Sequence, residues 1–271
     1  MTGRRHRLAD GRTLAWRETG AGAPLILLHG WSLAGTAFSE LAELLGGWRL
    51  LFPDLPGHGQ SSPPPVATLP SLADDVADWL AAVAPGPVQL GGWSLGGMIA
   101  MELAARASAP IEKLLLLSTT PRFTSADDWP HGLPATQVRA LRRNLDRRFE
   151  ATLGDFFQLT FAGDEVDAAR LRAISAFAVR PGGVPDQATA AVMLDLLAAQ
   201  DQRSLLGKIP CPTLVLHGSG DRVTPVGAGR ALATGLPHGR LAELTGAGHA
   251  PVWTQPLAVA GLIKEFCSWD R

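Results

Sequence analysis

Val88-Gln89-Leu90-Gly91-Gly92-Trp93-Ser94-Leu95-Gly96-Gly97-Met98-Ile99-Ala100 is the stretch on which the reading of this chain turns. A short apolar run suited to a buried strand, 88–90, enters a glycine-rich turn, and a helical pattern follows over 95–107. Gly92-Trp93-Ser94-Leu95-Gly96 therefore places G-x-S-x-G between a strand and a helix. So sharp a turn needs glycine wherever a side chain would strike neighbouring backbone. It holds a serine hydroxyl above the sheet, at the helix end that favours negative charge. Ser94 reads as a nucleophile.

Working outward, short apolar runs bounded by glycine and proline alternate with helical patterns, the signature of a mostly parallel sheet with crossover helices. Strands are expected over 25–28, 49–52, 88–90, 113–117, 213–216 and 240–244, and helices include 71–83, 95–107 and 257–267. From Thr119 to about Arg203 the rhythm breaks. Helix-like segments are punctuated there by Pro121, Pro130, Pro134 and Pro181-Gly182-Gly183. Some 85 residues are too many for a loop. The expectation is an α/β fold whose core comprises residues 1–118 and 204–271, with residues 119–203 inserted as a helical cap.

The composition excludes several classes. Among 271 residues, 24 basic and 25 acidic side chains leave a net charge of −1, without the basic excess of a nucleic-acid binder. Cys211 and Cys267 are the only cysteines and form no CxxC, so neither a disulfide scaffold nor a thiolate metal cluster is expected. No apolar run approaches the roughly 20 residues of a membrane helix. Basic Met1–Arg7 is followed by Leu8-Ala9-Asp10-Gly11-Arg12 rather than by the apolar stretch of a signal peptide. A cytoplasmic monomer without metal or cofactor is expected; no G-x-G-x-x-G opens the first strand–helix unit.

A serine requires an aligned base to become nucleophilic. Of seven histidines, His249 alone sits in a loop after the last expected strand with an acid upstream. His6, His131 and His238 read as surface residues, and His29, His58 and His217 as supports of turns. The acid is Asp221, just beyond strand 213–216, where it would hold the imidazole tautomer and stabilise its charged form. The chain order Ser94, Asp221, His249 resembles the one that hydrolases of this topology use. Two backbone N–H groups are needed for the oxyanion: Leu95, after the nucleophile, and Trp31, in His29-Gly30-Trp31-Ser32 after strand 25–28. The rings of Trp31 and Trp93 are expected to wall an acyl pocket.

With these motifs in register, together with Asp54-Leu55-Pro56-Gly57-His58-Gly59-Gln60-Ser61, the chain resembles the α/β-hydrolases along essentially its whole length. Gly92–Gly97 and the segment Ser118-Thr119-Thr120-Pro121-Arg122-Phe123-Thr124-Ser125-Ala126-Asp127-Asp128-Trp129-Pro130 further resemble the pimeloyl-[acyl-carrier protein] methyl ester esterases of biotin synthesis. That resemblance implies a serine carboxylesterase acting on an acyl chain held by an acidic carrier protein. It implies substrate contacts at Trp31, Ser94, Leu95, Phe156, Phe157, Gln158, Leu159, Thr160 and His249. A general short-chain esterase, a carbon–carbon bond hydrolase or a perhydrolase would keep the same triad. A ligand-binding receptor with little turnover is the alternative from another class. Dehalogenases and epoxide hydrolases place aspartate at the elbow, which Ser94 argues against.

Arg139, Arg142, Arg143 and Arg147 fall on one side of an expected helix, with Val138, Leu141, Leu145 and Phe149 toward another. With Arg172 they form a candidate surface for the acidic carrier. A solvated helix face accounts equally for this pattern in a chain with 21 arginines and three lysines.

Overall fold

A computed structural model describes residues 2–164, 166–178 and 183–268. Eight strands form one sheet in the order β1-β2-β4-β3-β5-β6-β7-β8. They are β1 (Thr2–Arg7), β2 (Thr13–Thr19), β3 (Ala23–Leu28), β4 (Trp48–Pro53), β5 (Val88–Trp93), β6 (Ile111–Leu117), β7 (Thr213–Gly218) and β8 (Gly239–Leu244). From β4 to β8 neighbouring strands pair in parallel, whereas β2 runs antiparallel to both β1 and β4.

The six expected strands appear at their expected places, each longer by one to three residues. The hairpin β1–β2 was not expected from the sequence. Thr2–Arg7 is arginine-rich and pairs only along one edge, so it carries little of the apolar signal of a buried strand. Its turn is nevertheless written in Asp10-Gly11: Gly11 adopts φ 89° and donates to Leu8 O at 2.9 Å.

The central strands are apolar on both faces because helices cover both. Leu25, Ile26, Leu27 and Leu28 are buried, as are Leu114 through Leu117. On one face Ile26, Leu28, Leu90 and Leu116 pack with α2 (Leu69–Val83) and α3 (Leu95–Ala105). On the other, Leu25, Leu27, Leu115 and Leu214 pack with α1 (Ser39–Leu44) and, across the sheet, with the C-terminal helix that ends the core.

Between β6 and β7 lie α4 (Ala135–Arg147), α5 (Phe149–Leu159), α6 (Ala168–Ala178) and α7 (Gln187–Ala199). Pro181 and Gly182 lie outside the described residues. In α4, Val138 and Leu145 are buried, and the helix stops at Arg148, whose φ −152° and ψ 61° are not helical. The entry and exit of the insertion are tied by ion pairs. Arg122 meets Asp201 at 3.1 Å, and Arg203 meets Asp128 at 2.8 Å while lying over the Trp129 ring. After β7 come α8 (Val226–Gly235) and, beyond β8, α9 (Pro251–Thr254) and α10 (Pro256–Ser268). Among the described residues no helix is long and apolar enough to cross a membrane.

The strand order reverses at β3, whose neighbours are β4 and β5, and such a switch opens a crevice beyond the carboxyl ends of the strands. Leu28 is opposite Gly92, so the loops after β3 and β5 leave the sheet side by side.

Candidate active site

Ser94 sits between β5 and α3 with φ 54° and ψ −116°, a conformation side chains rarely take. Four hydrogen bonds hold it there. Its N–H donates to Leu117 O at 3.0 Å, and its carbonyl accepts from Gly97 N at 2.9 Å, Met98 N at 3.2 Å and Thr119 Oγ1 at 2.6 Å. Strain of this kind costs about 1–3 kcal/mol and persists where the surroundings over-determine it. The glycines serve close approach: a methyl at Gly92 would strike Gly96 O, and one at Gly96 would strike Leu28 O.

Asp221 lies in the loop after β7 and His249 in the loop after β8; both are buried. His249 Nδ1 stands 2.8 Å from Asp221 Oδ2, and Asp221 Oδ1 accepts from Val223 N and Thr224 N, each at 2.8 Å. Burial would push the Asp221 carboxyl up. The charge of His249 and the hydrogen bonds of His217 and His249 outweigh it and hold the group well below the usual carboxylate range. Thr224 is a hub that sequence reading passed over. Its buried hydroxyl lies 2.9 Å from Asp221 Oδ2, 3.2 Å from His249 Nδ1 and 3.1 Å from Ser118 O. His217, expected to support a turn, bonds Thr224 O through Nε2 at 2.6 Å and lies 3.4 Å from Asp221 Oδ2.

The backbone of His249 is pinned at both ends. Its N–H donates to Thr160 O at 3.0 Å, and its carbonyl accepts from the Trp93 indole at 2.9 Å. No hydrogen bond joins Ser94 Oγ to the ring; both residues line one cavity, and catalytic bonds of this kind often tighten only with substrate bound.

The cavity measures about 410 Å³, within the range of small-molecule sites. Gly30 and Trp31 line it beside Ser94, and a methyl at Gly30 would lie 3.4 Å from Ser94 Cβ. The N–H groups of Trp31 and Leu95 bond no other group among the described residues, as oxyanion donors require. His29 Nδ1 donates to Gly30 O at 2.8 Å, and the planar peptide then sends the Trp31 N–H the opposite way. The Trp31 indole donates to Ala190 O of α7 at 3.0 Å and meets Phe156 of α5 edge-on at 4.8 Å.

Of the substrate contacts expected from sequence, Trp31, Trp93, Ser94, Phe156, Phe157, Gln158, Thr160 and His249 line the cavity. Leu159 does not; it packs against the core under α5, and the Leu95 side chain is likewise buried in that core. Trp253, Leu153 and Val184 line it without having been singled out, as does Phe149, which the sequence placed only on the apolar side of the arginine helix. Trp253 joins the helical insertion to the core, 4.7 Å from Trp93, 5.8 Å from Phe157 and 5.9 Å from Phe161 between ring centres. Its place four residues after His249 was the available signal.

Of the arginines, Arg139, Arg143 and Arg147 are exposed on α4, and Arg172 is exposed on α6. Arg142 instead pairs with Asp146 at 2.6 Å and Asp195 at 3.0 Å, tying α4 to α7.

The profile of the alpha/beta hydrolase fold family matches residues 23–256. A Chromobacterium violaceum protein named pimeloyl-[acyl-carrier protein] methyl ester esterase is 40% identical over 234 residues, covering 86% of this chain and 89% of its own. A Nitrosomonas europaea protein of the same name is 35% identical over 239 residues, covering 88% and 93%. An esterase from Exiguobacterium antarcticum shares the fold with a TM-score of 0.90 at 24% identity, over 98% of this chain and 99% of its own. The chain belongs to the α/β-hydrolase fold family, within its pimeloyl-[acyl-carrier protein] methyl ester esterases.

Proposed function

We propose that this chain is a serine carboxylesterase that hydrolyses the methyl ester of pimeloyl-acyl carrier protein, releasing methanol and the carrier-bound acid. The observation that carries the reading is one apolar cavity onto which Ser94 and His249 open, with Asp221 bonded behind the ring. The name shared by the relatives supplies the substrate.

In the first half-reaction His249 Nε2 takes the proton from Ser94 Oγ, which attacks the ester carbonyl carbon. The N–H groups of Trp31 and Leu95 stabilise the oxyanion, and Asp221 stabilises the imidazolium. His249 returns the proton to the departing methoxide, leaving an acyl-enzyme. Water then gives up a proton to His249, attacks the acyl carbon and releases Ser94. Trp31, Trp93, Phe156, Phe157, Gln158 and Thr160 enclose the acyl chain. Residues 119–203 act as the cap, and Arg139, Arg143, Arg147 and Arg172 face an acidic carrier while Arg142 holds α4 to α7. A cytoplasmic monomer fits this role.

The test is hydrolysis of pimeloyl-acyl carrier protein methyl ester beside a short p-nitrophenyl ester. Ser94→Ala should lower kcat by about 10⁶-fold, leaving the fold intact. Near-normal turnover by Ser94→Ala would refute the nucleophile. Turnover of the small ester alone would refute the carrier substrate.

A further inference from the structure

The turn that follows α5 reaches back to the catalytic base. Asp164 Oδ1 accepts from Gly248 N at 2.7 Å and from Thr254 Oγ1 at 2.8 Å. Four residues earlier, Thr160 O accepts the N–H of His249. Consecutive amides of the base loop are thus held by one turn of the cap. Contact is tight: a methyl at Gly248 would strike Asp164 Oδ2 and stand 3.0 Å from Thr160 O, and one at Gly163 would strike Gly220 O in the loop of the triad acid. Asp164 Oδ2 is buried and has no hydrogen-bond partner among the described residues. An unpaired buried carboxylate oxygen is costly, so packing alone gives no reason to place this residue here.

We propose that Asp164 is a positioning residue for the hydrolysis: its Oδ1 fixes the Ala247–Gly248 peptide, next to the His249 amide held by Thr160 O, and so sets where the imidazole meets Ser94. The same short segment carries Phe156 and Phe157 into the cavity, so the α5 turn couples the walls of the acyl site to the base. The inference rests on the Ser94–His249 reading of the site. A displacement near 1 Å of a catalytic group can cost about 10²-fold in rate.

The test compares Asp164→Ala and Asp164→Asn in the full chain with p-nitrophenyl butyrate, active sites being counted with a fluorophosphonate so that only folded enzyme enters kcat. Asp164→Ala should lose about 10- to 100-fold in kcat with KM held within about twofold. Asp164→Asn keeps an oxygen acceptor for Gly248 and should stay within about threefold of the parent. The low-field proton resonance of the His249 Nδ1–H should broaden in Asp164→Ala and persist in Asp164→Asn. Unchanged kcat in Asp164→Ala, or an equal loss in both variants, would overturn the proposal. Ser94→Ala runs alongside: if it retains activity the whole catalytic reading fails, whereas a dead Ser94→Ala beside an unaffected Asp164→Ala removes only the role of Asp164.

Discussion

Lowering the pH from 7 to 5 should cost this protein about 4 kcal/mol of folding stability through two imidazoles, His29 and His58. Both are fully buried and their rings meet edge to face at 5.2 Å. Burial pushes His29 from its ordinary 6.5 down to about 4, against the bond to Gly30 O. Burial, with His29 beside it, pushes His58 down to about 3. Unfolded, each ring takes up a proton below about pH 6.5, whereas the folded rings stay neutral. Their contribution is therefore whole above that pH and lost as pH falls toward the folded values. At pH 5 each ring has lost about 1.5 pH units of advantage, or about 2 kcal/mol. Two rings remove about 4 kcal/mol from a total that is about 5–15 kcal/mol for typical domains. Urea unfolding of wild type and His58→Gln at pH 7, 6 and 5 isolates the effect, because the variant keeps only the His29 share. Equal losses in the two proteins between pH 7 and 5 would refute the reasoning. The consequence reaches the site, since His29 orients the loop that carries Trp31.

Other outcomes follow from the same network. Asp221→Asn should lower kcat by about 10⁴-fold toward small esters, the cost of losing tautomer control and the imidazolium's counter-charge; a loss below tenfold would speak against the triad. Thr224→Val removes the hydroxyl beside Asp221 and His249 at constant shape and should cost about tenfold in kcat, with Thr224→Ser restoring it, as steady-state kinetics will read. Reversing Arg139 and Arg143 to glutamate should raise KM for the carrier-bound ester several-fold at low salt and leave p-nitrophenyl esters alone; equal effects on both substrates would remove the docking surface.

Strand–turn–helix grammar made the core legible. Val88–Trp93 running into Ser94 and the helix at Leu95 is a local signal, because the turn's glycines are demanded by backbone only a few residues away. Asp221 could be picked out because it follows a strand whose apolar run marks it, and His249 because its loop follows the last expected strand with an acid upstream. The hairpin β1–β2 escaped because an edge strand half-exposed to solvent carries little apolar pattern, although Asp10-Gly11 held the turn signal. Leu159 was misplaced for a different reason. Its helix is amphipathic, and only packing decides that Phe156 and Phe157 enter the cavity while Leu159 enters the core.

By itself the sequence determined six of the sheet's eight strands, the elbow, the chain order of the candidate catalytic groups and the existence of a helical insertion, since each is encoded by residues close together in the chain. Tertiary structure alone decided what holds those groups in place. Thr160 and Asp164 grip the loop of His249 from about 85 residues away, Trp31 is anchored to Ala190, and Arg142 is spent on Asp195 while its neighbours stay exposed. These contacts are set by how the helical insertion packs on the core, and no local pattern records which distant groups that packing brings within hydrogen-bond reach.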